Sequence, residues 1–272
     1  MVKCGITNLA TCLPQKFFEF IIKILNVPIK LLSNLSLDLL SEPIDLSLFL
    51  NLWVIIVYML SMFYALLLIA SGFNFIISGY DSEKRENAKK WLRNIVIMIV
   101  LVQSSFFIYQ LAIDLSSIMT SATLSLIDSN FFLINIDDGL GNIGLALIFY
   151  IFYASTLLIT SLILIMRYAF VSVGVALVPI AIFLYFLPPL KQYGSLILNF
   201  LGIIIFVTFF DAILLIGFSK LVNIGILSSM KILVLISAFA IINLVMLFLM
   251  FFSIVKAGFS VYSDVKGIKG KL

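Results

Sequence analysis

The chain has 272 residues, 63% of them apolar and only 11% charged, with a mean hydropathy of +1.25. A soluble globular domain carries about 25% charged residues, so the composition excludes one and points to an all-α, polytopic membrane protein. Net charge is +4 and His is absent; this removes the usual general base and commonest metal ligand, while the modest basicity suits anionic headgroups and nucleic acid equally.

Residues 1–47 are expected to form an N-terminal amphipathic interfacial segment. Its two cysteines, Cys4 and Cys12, have no His or further Cys beside them, which argues against a zinc site. They are read as two thiols, with a disulfide as the alternative on an extracytoplasmic side. The first 30 residues lack an uninterrupted apolar core ending in small residues, so no cleavable signal peptide is expected. Lys16, Glu19, Lys23, Asn26, Lys30 and Asn34 recur at steps of three or four. That narrow polar stripe suits a helix lying in the membrane interface, or one docked on a bundle. Pro28 predicts a break, with two short helices meeting near Val27.

Residues 48–255 are expected to form six transmembrane helices, since a bilayer core takes about 20 helical residues. The first runs from about Leu48 to Ile77, with Gly72 and Gly79 toward its end. The next fourteen residues, DSEKRENAKKWLRN, hold Lys84, Arg85, Lys89, Lys90 and Arg93. Ser82 is the expected helix cap, Glu83 and Glu86 suit the first-turn dipole, and Glu86 pairs with Lys90 at i,i+4. Trp91 sits at interfacial level before the second span, about Ile95–Thr120. A loop over 125–142 carries Asp128, Asp137 and Asp138 but no Lys or Arg. From Ile143 to Leu187 the chain is apolar apart from Arg167. One helix of that length would run about 67 Å, so a turn is expected near Arg167, giving spans at 143–165 and 169–187. Pro179 is expected to kink the latter. Further spans follow at about 194–218 and 232–255, then a short basic tail over 256–272.

Basic residues orient such spans by their excess in short cytoplasmic loops. With 80–93 inside, Arg167, Lys220 and Lys231 join its five basic residues there. Lys3, Lys16, Lys23, Lys30, Lys191, Lys256, Lys266, Lys269 and Lys271 then lie outside, so the two sides nearly balance. The density of the 80–93 loop breaks the balance. The expected topology in the cell membrane has that loop cytoplasmic and both ends outside.

Arg167 and Asp211 are the ionisable residues most embedded in apolar sequence. Each is costly in hydrocarbon and needs a partner or water. They are read as a pair locking two helices, with a polar position lining a conduit or a proton relay as alternatives. Gln103, Ser104, Ser105, Asn199 and Asn243 are candidates for hydrogen bonds across helices. The basic loop is a candidate contact for anionic lipid, a cytoplasmic partner or nucleic acid. No Gly-rich phosphate loop, nucleophile–base pair or catalytic carboxylate pair is present in the sequence, so neither an enzyme nor a bound cofactor is expected.

The run GFNFIISGYDSEKRENAKKWLRNIVIMIVLVQSSFFIY resembles the first hairpin of conjugation-type membrane subunits. The stretch LILIMRYAFVSVGVALVPIAIFLYFLPPL is similar to their second landmark: an Arg, an apolar run, a Pro-Ile-Ala step and a proline-marked exit. Together these resemble the TrbL-type polytopic subunits of type IV secretion, and more closely the archaeal CedA-type subunits. The resemblance implies a membrane subunit of a DNA-transfer apparatus, in archaea one that imports DNA. Implied partners are small two-span or pilin-like membrane subunits, a cytoplasmic hexameric ATPase, and DNA as the transported substrate. The conduit would lie within one chain or between copies of a homo-oligomer in the lipid bilayer; a pure scaffold reads the same. A small-molecule or ion transporter is the alternative, but Pro179 has no counterpart three spans away, as an inverted repeat would require.

Overall fold

The computed structural model describes residues 9–128, 131–132, 143–228 and 230–269. Its long helices are α1 (Leu9–Ser41), α2 (Leu50–Ile77), α3 (Ser82–Leu124), α4 (Ile143–Phe186), α5 (Lys191–Val222) and α7 (Lys231–Lys269), with the short α6 (Gly225–Ser228) before the last. Among the described residues there is no strand, as the apolar composition predicts. Single 3-10 turns precede α2, α3 and α5. Asp45 sits ahead of α2, and the Ser47 amide donates to its Oδ1 at 2.9 Å. That backbone donor holds the exposed Asp45 carboxyl below the usual carboxylate range.

Among the described residues, five helices are long and apolar enough to cross a membrane, within 47–80, 82–124, 147–186, 188–222 and 231–252. The turn expected at Arg167, which divided the 143–187 stretch into two spans, is not there. Ile143–Phe186 is one helix of 44 residues. Arg is a good helix former, and nothing around residue 167 supplies the Gly or Pro that would end one. Arg167 is only 5% exposed, so protein shields its charge without a turn.

The break at Pro28 is also absent, and α1 continues through it. Proline removes only its own donor; the ladder on either side survives when packing supports the helix. Support comes from an inner stripe of Ile29, Ser33, Ser36 and Leu40, all buried. Ser36 Oγ lies 3.0 Å from Ser161 Oγ, and Ser117 Oγ donates to the Ser41 carbonyl at 2.6 Å. The second half of α1 is therefore docked. Phe17, Phe20, Ile24, Val27 and Leu31 stay exposed on its other side, the surface an interfacial helix would present to acyl chains. The expectations for Cys4, the Cys12 side chain, Asp137 and Asp138 lie outside the described residues.

The chain packs as two compact units. One gathers α1, α3 from Ser116, α4 up to Arg167, and residues 207–248. Its fully buried side chains include Tyr150, Tyr153, Leu157, Leu215, Leu235, Phe239 and Met246. The other gathers α2, the first part of α3, α4 from Tyr168, α5 up to Phe206, and the chain from Leu249. Its core centres on Met98, Val102, Tyr109, Val171, Val175 and Ile204.

Close packing in the second unit depends on two glycines. A Cβ at Gly174 would collide with Tyr109 Oη and stand 2.8 Å from Leu201 Cδ2. Tyr109 Oη donates instead to the Val171 carbonyl at 2.8 Å, one turn before that glycine. A Cβ at Gly194 would meet the backbone of Tyr185 and Ala181. After the Pro188–Leu190 turn, α5 can thus approach α4 closely. Small residues serve membrane helices in this way, because lipid tails are as apolar as Leu and packing must supply the attraction.

Candidate functional site

The basic tip is the start of α3. Asp81, extended at φ −127° and ψ 117°, precedes the helix. Its Oδ1 accepts from the amides of Glu83 at 3.0 Å and Lys84 at 3.4 Å. The cap is therefore Asp81 rather than Ser82; both residue types cap well, and the extended backbone lies at Asp81. Three cations of the tip have partners. Lys84 lies 3.6 Å from Asp81, Lys90 lies 2.9 Å from Glu86, and the Arg85 guanidinium sits 5.8 Å from the Phe75 ring centroid. Lys89 and Arg93 are exposed. Ala88 is buried and Trp91 half-buried, so one side of the tip packs down while the cations face outward. A cavity of about 310 Å³ separates the end of α2 from this turn, lined by Asn74, Ser78, Lys84, Asn87 and Trp91 among others. The helix runs without interruption from the tip into the apolar stretch.

Arg167 and Asp211 fall in the same unit, with 5% and 0% exposure. Arg167 is the charge that acts on Asp211. Neither carboxylate oxygen of Asp211 accepts a hydrogen bond among the described residues, so the two are linked through their fields. Thr208, one turn before Asp211, is buried and lies 3.5 Å from Thr120 Oγ1. The arrangement is a polar patch inside helix packing. Pro179 is buried within α4, and the helix passes through it.

The expected cross-helix hydrogen bonders divide. Ser105 Oγ accepts from Trp53 Nε1 at 2.9 Å, and Asn243 Nδ2 donates to the Thr156 carbonyl at 3.2 Å. Among the described residues, Ser104 and Asn199 bond only within their own helices. Gln103 has no hydrogen bond among the described residues. Sequence reasoning missed the Tyr109–Gly174 contact. Its sole trace was a lone glycine among large residues.

A long helix that carries a capped, basic, outward-facing turn into an apolar bundle is an arrangement that can be compared across families. Residues 46–269 match the family described as TrbL/VirB6 plasmid conjugal transfer like protein. The chain belongs to this family. The match begins just before α2 and spans all five apolar helices. It leaves the whole of α1 outside. No curated protein and no solved structure matches the chain. Membership in the TrbL/VirB6-like family makes the chain a multi-pass membrane protein of the conjugal transfer type.

Proposed function

We propose that the chain is a non-catalytic membrane subunit of a DNA-transfer apparatus of the archaeal CedA type, importing DNA and forming or scaffolding its conduit. The observation that carries this reading is the family match over 46–269, joined to a rigid basic tip that continues into a membrane helix. The Lys84–Arg93 tip is assigned as the docking point of the cytoplasmic hexameric ATPase. Topology alone needs only scattered Lys or Arg, whereas a capped helix presents its charges in fixed register. A contact there transmits force directly into α3. Small two-span or pilin-like subunits are the remaining partners of this reading.

The five-helix count supports a cytoplasmic tip. With α4 crossing once, Lys191 and the segment carrying Lys256, Lys266, Lys269 and Lys271 fall on the side of the tip. Only Lys3, Lys16, Lys23, Lys30, Lys220 and Lys231 fall on the other. The near-balance becomes the excess that the positive-inside rule expects. The region before α2 is then extracytoplasmic, and the chain beyond Phe252 cytoplasmic.

Lys89 and Arg93 are the informative residues, because Lys90 is tied to Glu86. Lys89→Glu with Arg93→Glu is expected to abolish DNA transfer and co-purification of the ATPase, while membrane insertion stays intact. Transfer at the wild-type frequency with normal ATPase recovery would reduce the tip to an orientation signal.

A further inference from the structure

A face of α3 beside its packed side carries polar groups in the middle of an apolar span. Ser105, Phe106 and Tyr109 turn inward, held by Trp53, the Trp53–Phe106 ring contact and the Val171 carbonyl. Flanking Phe106 along the edge of this packed side lie Gln103 and Gln110, which with Asp114 share one stripe at i, i+7 and i+11. Gln103 and Gln110 are exposed and Asp114 is half-exposed. None of the three has a hydrogen-bond or ion-pair partner among the described residues. Val96, Val100 and Phe107 complete the exposed strip.

Depth makes this unusual. Counting from Ile95 at 1.5 Å per residue, Gln103 is about 12 Å and Gln110 about 22 Å into a core about 30 Å thick. Asp114 is about 28 Å along, at the far edge, where a carboxylate reaches water. Lipid offers nothing to the donors and acceptors of two amides, and an unsatisfied polar group in hydrocarbon is expensive. Something other than acyl chains covers this strip.

We infer that the Gln103–Gln110 face of α3 is where a second copy of this chain packs in parallel. A carboxamide both donates and accepts, so it is complementary to itself. Copies in one membrane share one orientation and one depth. Gln103 therefore meets Gln103 and Gln110 meets Gln110 with no further adjustment, whereas an unrelated helix would need polar groups at the same two depths. The seven-residue spacing returns both amides to the same face of a left-handed helix pair, and polar residues at such positions fix register. Val96, Val100 and Phe107 pack between them. This inference rests on α3 alone and holds whether or not the chain moves DNA.

Cysteine cross-linking of the full chain in native membranes tests it, with Cys4 and Cys12 replaced by Ser. Gln103→Cys and Gln110→Cys should each give a disulfide-linked dimer under copper-phenanthroline oxidation. Ile108→Cys, exposed but about 140° around the helix, should not. Gln103→Leu with Gln110→Leu should weaken self-association by about tenfold in native gels or mass spectrometry, with unchanged membrane insertion. Equal cross-linking at all three positions, a monomer with no cross-link at 103 and 110, or cross-linking there to a different protein would each overturn the inference.

Discussion

Asp211 is completely buried with no hydrogen bond to either oxygen among the described residues, and the Arg167 charge acts on it. Removing one member of a buried charge pair strands the other, so single substitutions cost more than the pair is worth. Asp211→Asn is expected to lower thermal stability in detergent. Adding Arg167→Gln should not lower it proportionally, leaving a coupling of about 1–3 kcal/mol in the double-mutant cycle. Strictly additive losses would show that the two residues act independently. Sequence sufficed to single them out, because a lone charge in an apolar run always needs an explanation. It placed Arg167 wrongly, at a turn rather than inside a helix. The error came from treating a charge as a chain reversal when burial was the other way to shield it. Tyr109 and Gly174 were illegible for a different reason: their contact depends on which helix faces α3, and apolar periodicity in a membrane does not encode that.

Among the elements, α3 holds most of what bears on function, since its 43 residues include both the basic tip and an apolar span. Its continuity across the membrane surface follows from helix-forming residues on both sides of Trp91 and no Gly or Pro between Ser82 and Leu124. Asp81 fixes where it begins. Asp81→Ala should cost about 1 kcal/mol of helix stability. Faster amide exchange confined to Glu83, Lys84 and the next turn, with 95–113 unchanged, is the expected signature. Uniform protection before and after substitution would mean that packing of Ala88 and Trp91, not the cap, holds the tip. The cap's existence was plain in the sequence and its residue was not, because Asp81 and Ser82 are equally good candidates until the backbone decides. In α1 the polar stripe was legible, but not the buried Ser33 and Ser36 on its other side. Those serines read as incidental until the Ser161 contact gives Ser36 a partner.

At the scale of the whole molecule, composition fixed the class while crossing number had to come from the structure. Forty-four helical residues can be two spans or one, and only a breaker in the right place distinguishes them. Pro188 and Pro189 end α4, and Pro179 does not. In the proposed topology, that single difference redistributes the basic residues between the two sides of the membrane and puts the basic tip and the basic C-terminal segment on the same side. The central claim is that this TrbL/VirB6-like chain is a required membrane subunit for moving DNA. Its most direct test is the frequency of DNA transfer in cells lacking the gene, with and without the full chain restored. The account predicts loss of transfer on deletion and recovery on restoration, with no recovery from Lys89→Glu/Arg93→Glu. Wild-type transfer in the deletion strain would contradict it.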